Sequence, residues 1–324
     1  MIRKSFFWLL ATVLLTTVLP AEAQQPKKIP QIGFFGIGSP SATAPLAGAF
    51  RQGLNQLGYV EAKNIQIEYR YAQGQVARVP ALIDELVRLK VDVLVIGSLS
   101  GQQAAKKATS TISIVMAQSN DPVRDGLIAS LARPGGNITG LTTITDELSG
   151  KRLELFKEAV PRVSRVAVLW GGSGLVPATE IESTARALGI QIQVMRVRRQ
   201  DAFDNAFEAI AKERADALLI TRGPVIRTYA TRIRDFADKK RLPTMYDDKR
   251  FVEGGGLMSY GTDILDLYQR SATYVDKILK GTKPADLPVE QPVRFEFVVN
   301  LKTAKDIGVT IPQWTLMKAD RVIR

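Results

Sequence analysis

The 324-residue chain contains neither cysteine nor histidine. Without thiols it can form no disulfide and carry no lipid on a cysteine, so its core must be large enough to stand unstapled. Without imidazole, Ser-His-Asp and Cys-His catalysis, histidine general bases and histidine metal sites are excluded. No Walker loop or calcium-loop spacing occurs. Gly33, Gly36 and Gly38 fall in the order G-x-x-G-x-G, followed by Pro40 and Pro45, which is not a dinucleotide fingerprint. No cofactor and no metal are expected. Acids are outnumbered, with 44 Lys and Arg against 32 Asp and Glu, a formal charge of +12. The basic residues are spread out, with no aromatic-interleaved cluster and no helix-turn-helix signature, so no nucleic-acid partner is expected.

Long apolar stretches are also scarce outside the first residues. Arg3 and Lys4 precede an apolar run from Phe6 to Leu19, closed by Ala21-Glu22-Ala23. The run is short for a spanning helix and an A-x-A site follows it directly, which predicts a secretory signal cleaved after Ala23; the alternative is an uncleaved membrane anchor. Cleavage removes Arg3, Lys4 and Glu22 and leaves a charge of +11. Export without cysteine fits a bacterial periplasm. The remaining chain is long for one core and suits two domains.

Hydrophobic periodicity in the first half predicts strand 31–35, helix 43–58, strand 65–71, helix 78–89, strand 91–96 and helix 101–109. Strands alternating with helices of this length mean a parallel sheet covered on both faces, an α/β fold. The second half repeats the plan in its letters. Gln31–Ser39 has its counterpart in Arg165–Ser173, and Leu57-Gly58 before Ile65 in Leu188-Gly189 before Ile190. Asp92–Ile96 matches Asp216–Ile220. Several weak matches in one order argue for two lobes of one architecture.

The stretch Ile112–Thr142 joins fold to function. A buried strand ends at the polar Gln118-Ser119-Asn120-Asp121-Pro122, Asp121 is placed to cap a short helix through Leu127 and Leu131, and Pro134-Gly135-Gly136 precedes a second strand from Ile138. Polar groups thus gather at the carboxyl end of a parallel strand, where open α/β sheets bind ligands. The loops expected to border a cleft between lobes supply the candidate ligand residues Ser39, Ser98, Ser100, Gln118, Asn120, Asp121, Ser173, Arg222, Tyr246, Lys249 and Arg250. Each has an alternative role. Serines after strands cap helices as often as they bind ligand, Asp121 suits a cap, and the cations suit solvent. Gln118 and Asn120 offer both donors and acceptors for a zwitterion. Trp170 suits either stacking on a ligand or core packing.

The runs IVMAQSNDPVRDGLIASLARPGGNITGLT, AFRQGLNQLGYVEAKNIQIEYRYAQG, ELFKEAVPRVSRVAVLW, RLPTMYDD and FVEGGGLMSYG resemble the tryptophan/tyrosine-type solute-binding proteins of ABC transporters over residues 30–324. The resemblance implies a periplasmic-binding-protein type I fold: two Rossmann-like lobes with parallel sheets, joined by three interlobe crossovers. It places an N-terminal lobe at 30–142 plus 263–284, a C-terminal lobe at 147–259 plus 294–324, and crossovers near 142–147, 259–263 and 284–293. It implies a monomer that carries a small molecule to a permease at the inner membrane. The chain departs from the family pattern at Gly171–Gly174, at Arg222-Gly223-Pro224 and at Lys249-Arg250. If these cations face the cleft, a carboxylate gains charge-assisted bonds, which suggests an amino acid or other carboxylate. The alternatives are a periplasmic sensor subunit and an exported α/β enzyme using Asp247 and Asp248.

Overall fold

The computed structural model describes residues 29–144, 148–171, 178–197, 199, 201–221 and 223–324. The expected leader, 1–23, lies outside them. Strands β1 (Gln31–Gly36), β2 (Gln66–Tyr71), β3 (Val93–Ile96), β4 (Ser113–Met116) and β5 (Ile138–Gly140) form one parallel sheet in the order β2-β1-β3-β4-β5. Helices α1 (Pro40–Gln56), α2 (Val79–Arg88) and α3 (Leu99–Ala108) cover it. Side-chain alternation sorts the strands onto two faces. Ile32, Phe34, Val93 and Val95 pack with Phe50 and Leu54 of α1, whereas Phe35, Leu94 and Ile96 pack with Ile83 and Leu86 of α2 and Ala105 of α3. Helix α1 starts three residues earlier than its periodicity predicts, because Ser39 caps it and Pro40 fits the first turn.

The second sheet holds β6 (Arg165–Trp170), β7 (Gln191–Arg196), β8 (Ala217–Ile220), β9 (Thr244–Tyr246), β10 (Met258–Thr262), β11 (Phe295–Asn300) and β12 (Arg321–Ile323), in the order β12-β11-β10-β9-β8-β6-β7. Helices α4 (Ser149–Ala159), α5 (Ala178–Ala187), α6 (Ala202–Lys212), α7 (Pro224–Thr228), α8 (Ala230–Lys240) and α9 (Lys249–Glu253) accompany it. All pairings are parallel except β10 with β11, whose antiparallel register sets Gly261 opposite Glu296. The strand β12 carries no periodic signal and was not expected.

The letter repeat has a physical cause. In each half an aspartate before the third strand accepts from the backbone N–H that opens the first: Asp92 from Gln31 N at 2.7 Å, and Asp216 from Arg165 N at 2.9 Å and Ser164 N at 2.9 Å. The repeated Leu-Gly ends a helix, with Gly58 at φ 87° and Gly189 at φ 64°, and the following N–H reaches back to Leu54 and Ala185 respectively. This is the left-handed helix stop that glycine adopts most easily.

One local prediction fails. After Asp121 the chain makes successive turns instead of a helix. Leu127 N and Ile128 N both donate to Pro122 O, Ala129 N donates to Pro134 O, and Gly126 sits at φ 67°, which stops helical propagation. Leu127 and Ile128 still bury against the first sheet.

Helix α10 (Ile264–Leu279) follows β10 but packs in the first lobe, its Leu267, Tyr268, Ala272 and Val275 joining Phe34 and Phe50. Gly53 allows α1 to meet it closely, since a Cβ there would lie 2.9 Å from Ala272 Cβ. After α10 the chain re-enters the second sheet as β11, and α11 (Leu301–Asp306) and α12 (Gln313–Leu316) lead to β12. The chain therefore passes between the sheets three times. The crossings are bonded to one another, by Thr142 N to Glu290 O at 2.9 Å and by Thr262 Oγ1 to Thr143 O at 2.8 Å.

Candidate functional site

Polar residues collect at the carboxyl ends of the strands, because most strands there hand over to a helix N-terminus with unsatisfied N–H groups. In the first lobe Ser39 Oγ accepts from Ala42 N at 3.2 Å, and Ser98 Oγ accepts from Gly101 N at 3.3 Å. Both serines thus cap helices and remain half-buried, as does Ser100 in the first turn of α3. Two glutamines stitch the ends of β3 and β4 together. Gln102 Nε2, fully buried, donates to Ile96 O at 3.1 Å and Gln118 O at 2.8 Å, while Gln118 Nε2 donates to Gly97 O at 2.9 Å. Asn120 is half-buried beside them, and Asp121 Oδ1 accepts from Arg124 N at 2.9 Å, capping the turn that replaces the expected helix.

Gly97 has a second neighbour. The Tyr268 ring from α10 lies so close that a Cβ on Gly97 would sit 2.7 Å from its Cζ and overlap its hydroxyl. Tyr268 also belongs to the charged surroundings of Arg250, on the second lobe. The ends of β3 and β4 and helix α10 are in this way brought to one place, with the turn after β9 within electrostatic reach of them.

That turn runs Asp247-Asp248-Lys249-Arg250. Asp247 and Asp248 are buried, and Asp248 Oδ1 accepts from Arg250 N at 3.0 Å as the cap of α9. Asp248 also holds the Arg250 guanidinium, through Nε at 3.0 and 3.1 Å and through Nη2. Burial works against the Arg250 charge, but its bonds to Asp248, with Tyr268 and Asp247 nearby, outweigh this and raise its pKa above the ordinary value. Lys249 Nζ is 2.8 Å from Asp263 Oδ2 and 2.7 Å from Glu296 Oε2. Burial lowers its pKa and these bonds raise it, with a net upward shift. Tyr246, 2 % exposed, stacks on Phe251 at 5.0 Å, and burial pushes its phenol up to about 12. The second-lobe cations are therefore met by acids of this chain, and the cluster is not the bare positive patch that Arg250 and Lys249 suggest in sequence.

Ser173 and Arg222 lie outside the described residues. Their described neighbours are closely packed. Gly171 and Gly223 pack backbone to backbone, a Cβ on Gly223 lying 2.8 Å from Gly171 Cα, and Thr221 Oγ1 bridges Leu169 O at 3.1 Å and Gly171 N at 3.3 Å. Trp170, at the end of β6, is 5 % exposed, and its indole N–H finds no acceptor among the described residues. A groove of about 330 Å³ lined by Arg165, Gln191, Gln193 and Glu213 opens at the amino ends of β6 and β7, away from these loops. Among the described residues no group of His, Cys, Asp and Glu is arranged to hold a metal ion, and no helix is long and apolar enough to cross a membrane.

The family model for ABC transporter substrate binding proteins matches residues 36–323. The chain belongs to this family. It is 25 % identical over 264 residues to a tyrosine-binding protein of Clostridioides difficile strain R20291, covering 80 % of this chain and 75 % of that protein. A Streptococcus pneumoniae ABC domain, solved in complex with L-Trp, superposes with a TM-score of 0.82 at 25 % identity, over 91 % of this chain and 99 % of that one. A conserved domain protein of Vibrio cholerae O1 biovar El Tor superposes with a TM-score of 0.82 at 28 % identity, over 91 % and 100 %. The two-sheet architecture is that of type I periplasmic binding proteins. As a member of this family the chain is a substrate-binding protein that serves an ABC transporter.

Gln102 and Tyr268 were missed in sequence, whereas Gly97 opens a loop expected to border the cleft. Tyr268 could have been found, since it completes the i, i+4 series Ile264, Tyr268, Ala272 on the buried stripe of α10. Gln102 lies one turn beyond Ser98 on the buried side of α3, but nothing local marks it as a staple between two strand ends.

Proposed function

We propose that this protein is exported, binds an aromatic amino acid between its lobes without chemically changing it, and presents it as a monomer to a permease at the inner membrane. The observation that carries this is the convergence of the β3, β4 and β9 ends on Gly97, Gln118, Tyr268, Asp248 and Arg250, in a chain whose relatives include a tyrosine-binding protein and an L-Trp complex. A zwitterion suits such a site better than a dicarboxylate. Asp247 and Asp248 are buried beside Arg250, so a ligand bringing both charges leaves the net charge of this turn unchanged, while a dianion adds negative charge next to two buried acids. The N-termini of α1 and α3 supply N–H groups for a carboxylate, Gln118 and Asn120 supply amide donors and acceptors, and Trp170 supplies an aromatic face. Of the candidates, Ser39, Ser98, Ser100, Gln118, Asn120, Asp121, Ser173, Arg222 and Arg250 remain assigned to the ligand. Closure brings the two lobes' contributions together by rotation about the crossings near 142–147, 259–263 and 284–293.

The test is a thermal-shift screen of L-tryptophan, L-tyrosine, L-phenylalanine, L-leucine and succinate, followed by mass spectrometry of the bound compound. A ligand at about 100 times its Kd stabilises the folded protein by roughly 2.7 kcal/mol. The aromatic amino acids are expected to shift the transition and to be recovered unchanged in a one-to-one complex. Turnover, or a shift by succinate alone, overturns the proposal.

A further inference from the structure

Lys249 occupies a position that its neighbours in sequence do not explain. It is the first residue of α9, between Asp248, which clamps Arg250, and Arg250 itself. Its ammonium leaves this turn and lies between two carboxylates, Asp263 Oδ2 at 2.8 Å and Glu296 Oε2 at 2.7 Å, with all three side chains less than one third exposed. Those two acids stand at the ends of two different crossings. Asp263 ends the second crossing and is the N-cap of α10, whose body packs in the first lobe. Its Oδ1 accepts from Leu265 N at 2.9 Å, so each oxygen has its own task. Glu296 follows the third crossing and lies in β11 of the second lobe, paired with Gly261. One cation thus holds together the ligand-side turn, the start of a first-lobe helix and the start of a second-lobe strand.

We propose that Lys249 is a positioning residue that acts as the hinge clamp: its paired bonds to Asp263 and Glu296 set the angle between the lobes and carry ligand engagement at Asp248 and Arg250 to the crossings. The physical reason is geometric. Asp263 stands one residue beyond Thr262, which pairs with Phe295, so it is the point where the chain leaves the second sheet as the cap of α10. Rotation of α10 against that sheet turns the Asp263 carboxylate relative to Glu296, and a single ammonium can satisfy both carboxylates over only a narrow range of separations. The clamp therefore favours one lobe angle, and an unclamped hinge samples several. The same acids need the cation, because without it two carboxylates face each other across the crossing chains. This deepens the closure proposed above, but the angle it sets exists without ligand and is measured without one.

Because the chain has no cysteine, Gln103→Cys on α3 and Thr231→Cys on α8, both exposed, place one spin label on each lobe with no native thiol to remove. Double electron–electron resonance on the ligand-free protein is expected to give a narrow inter-lobe distance distribution. Lys249→Met is expected to broaden it or shift its centre, and Lys249→Arg to restore it. A loss of one to two kcal/mol at the hinge corresponds to about a five- to thirty-fold change in the ratio of lobe states. Asp263→Asn, which keeps a capping side chain for α10 while losing the charge, and Glu296→Gln are each expected to broaden it as well. These two variants test the clamp even if Lys249→Met fails to fold. Lys318→Met, which breaks an exposed pair with Glu158, is the control and should leave the distribution unchanged. An unchanged distribution in folded Lys249→Met, Asp263→Asn and Glu296→Gln overturns the clamp, as does a wild-type distribution already as broad as theirs. Titration of the same proteins with L-tryptophan and L-tyrosine is a separate readout. Failure of both to bind any variant or the wild type counts against the ligand assignment and leaves the hinge result standing.

Discussion

Replacing Gly97 by alanine tests whether the site is built as described. A Cβ there overlaps the Tyr268 hydroxyl, lies 2.7 Å from Cζ of the same ring and 3.3 Å from Gln118 Cγ. The ring cannot retreat, because Tyr268 is 3 % exposed and its centroid lies 6.0 Å from that of Phe34, within the core that α10 shares with the first sheet. Adding a methyl to a filled core costs about 1–3 kcal/mol. At about 2–4 °C per kcal/mol for a unit of this size, the first lobe should melt roughly 2–12 °C lower. Tyr268→Phe removes the overlapping oxygen and keeps the ring, so in the double variant part of the loss should return, with a coupling of about 0.5–3 kcal/mol. Urea unfolding of the four proteins, followed by near-ultraviolet circular dichroism, measures the cycle. A Gly97→Ala protein as stable as the wild type, or losses that simply add, refutes the seating of Tyr268 on Gly97. The same substitution pushes on Gln118, whose amide bonds Gly97 O, and should weaken binding of the amino acid found in the thermal screen.

Three further outcomes are expected. Asp248→Ala removes a helix cap and the acid that holds Arg250, at a cost of about 2–4 kcal/mol, while Asp248→Asn keeps the cap and loses less; chemical denaturation ranks the two. Asp216→Ala removes an acceptor shared by Ser164 N, Ser164 Oγ and Arg165 N and should cost about 1–2 kcal/mol, and Asp92→Ala, which removes the acceptor of Gln31 N, should destabilise as well. No effect from either would remove the physical basis offered for the repeated aspartate. Burial raises the Tyr246 phenol to about 12, so the unfolded chain ionises first. Its contribution to stability is complete below the ordinary tyrosine value near 10 and is lost as pH rises from there to about 12, on the order of 2–3 kcal/mol. Tyr246→Phe should flatten that part of the alkaline decline, and an unaltered pH profile would contradict the burial of the phenol.

What the sequence determined by itself is the architecture. Apolar period and helix stops are local properties, so the first lobe's five strands and most of their covering helices were legible one segment at a time. The repeat of Asp92–Ile96 in Asp216–Ile220 revealed two lobes because each aspartate does the same job for a neighbouring strand. The family was legible for a related reason: long motifs such as Ile114–Thr142 mark the strand ends and turns of one fold. Local propensity was weakest where several turns compete, and between Asp121 and Pro134 the carbonyls of Pro122 and Pro134 decided against a helix. Tertiary structure alone decided which groups meet. Lys249 finds acids 14 and 47 residues away, Tyr268 reaches Gly97 from a helix that returns to the first sheet, and β11 joins its sheet antiparallel. Composition can count such charges and rings, but a charge is worth little until its partner and its burial are known, and only the folded chain brings those together.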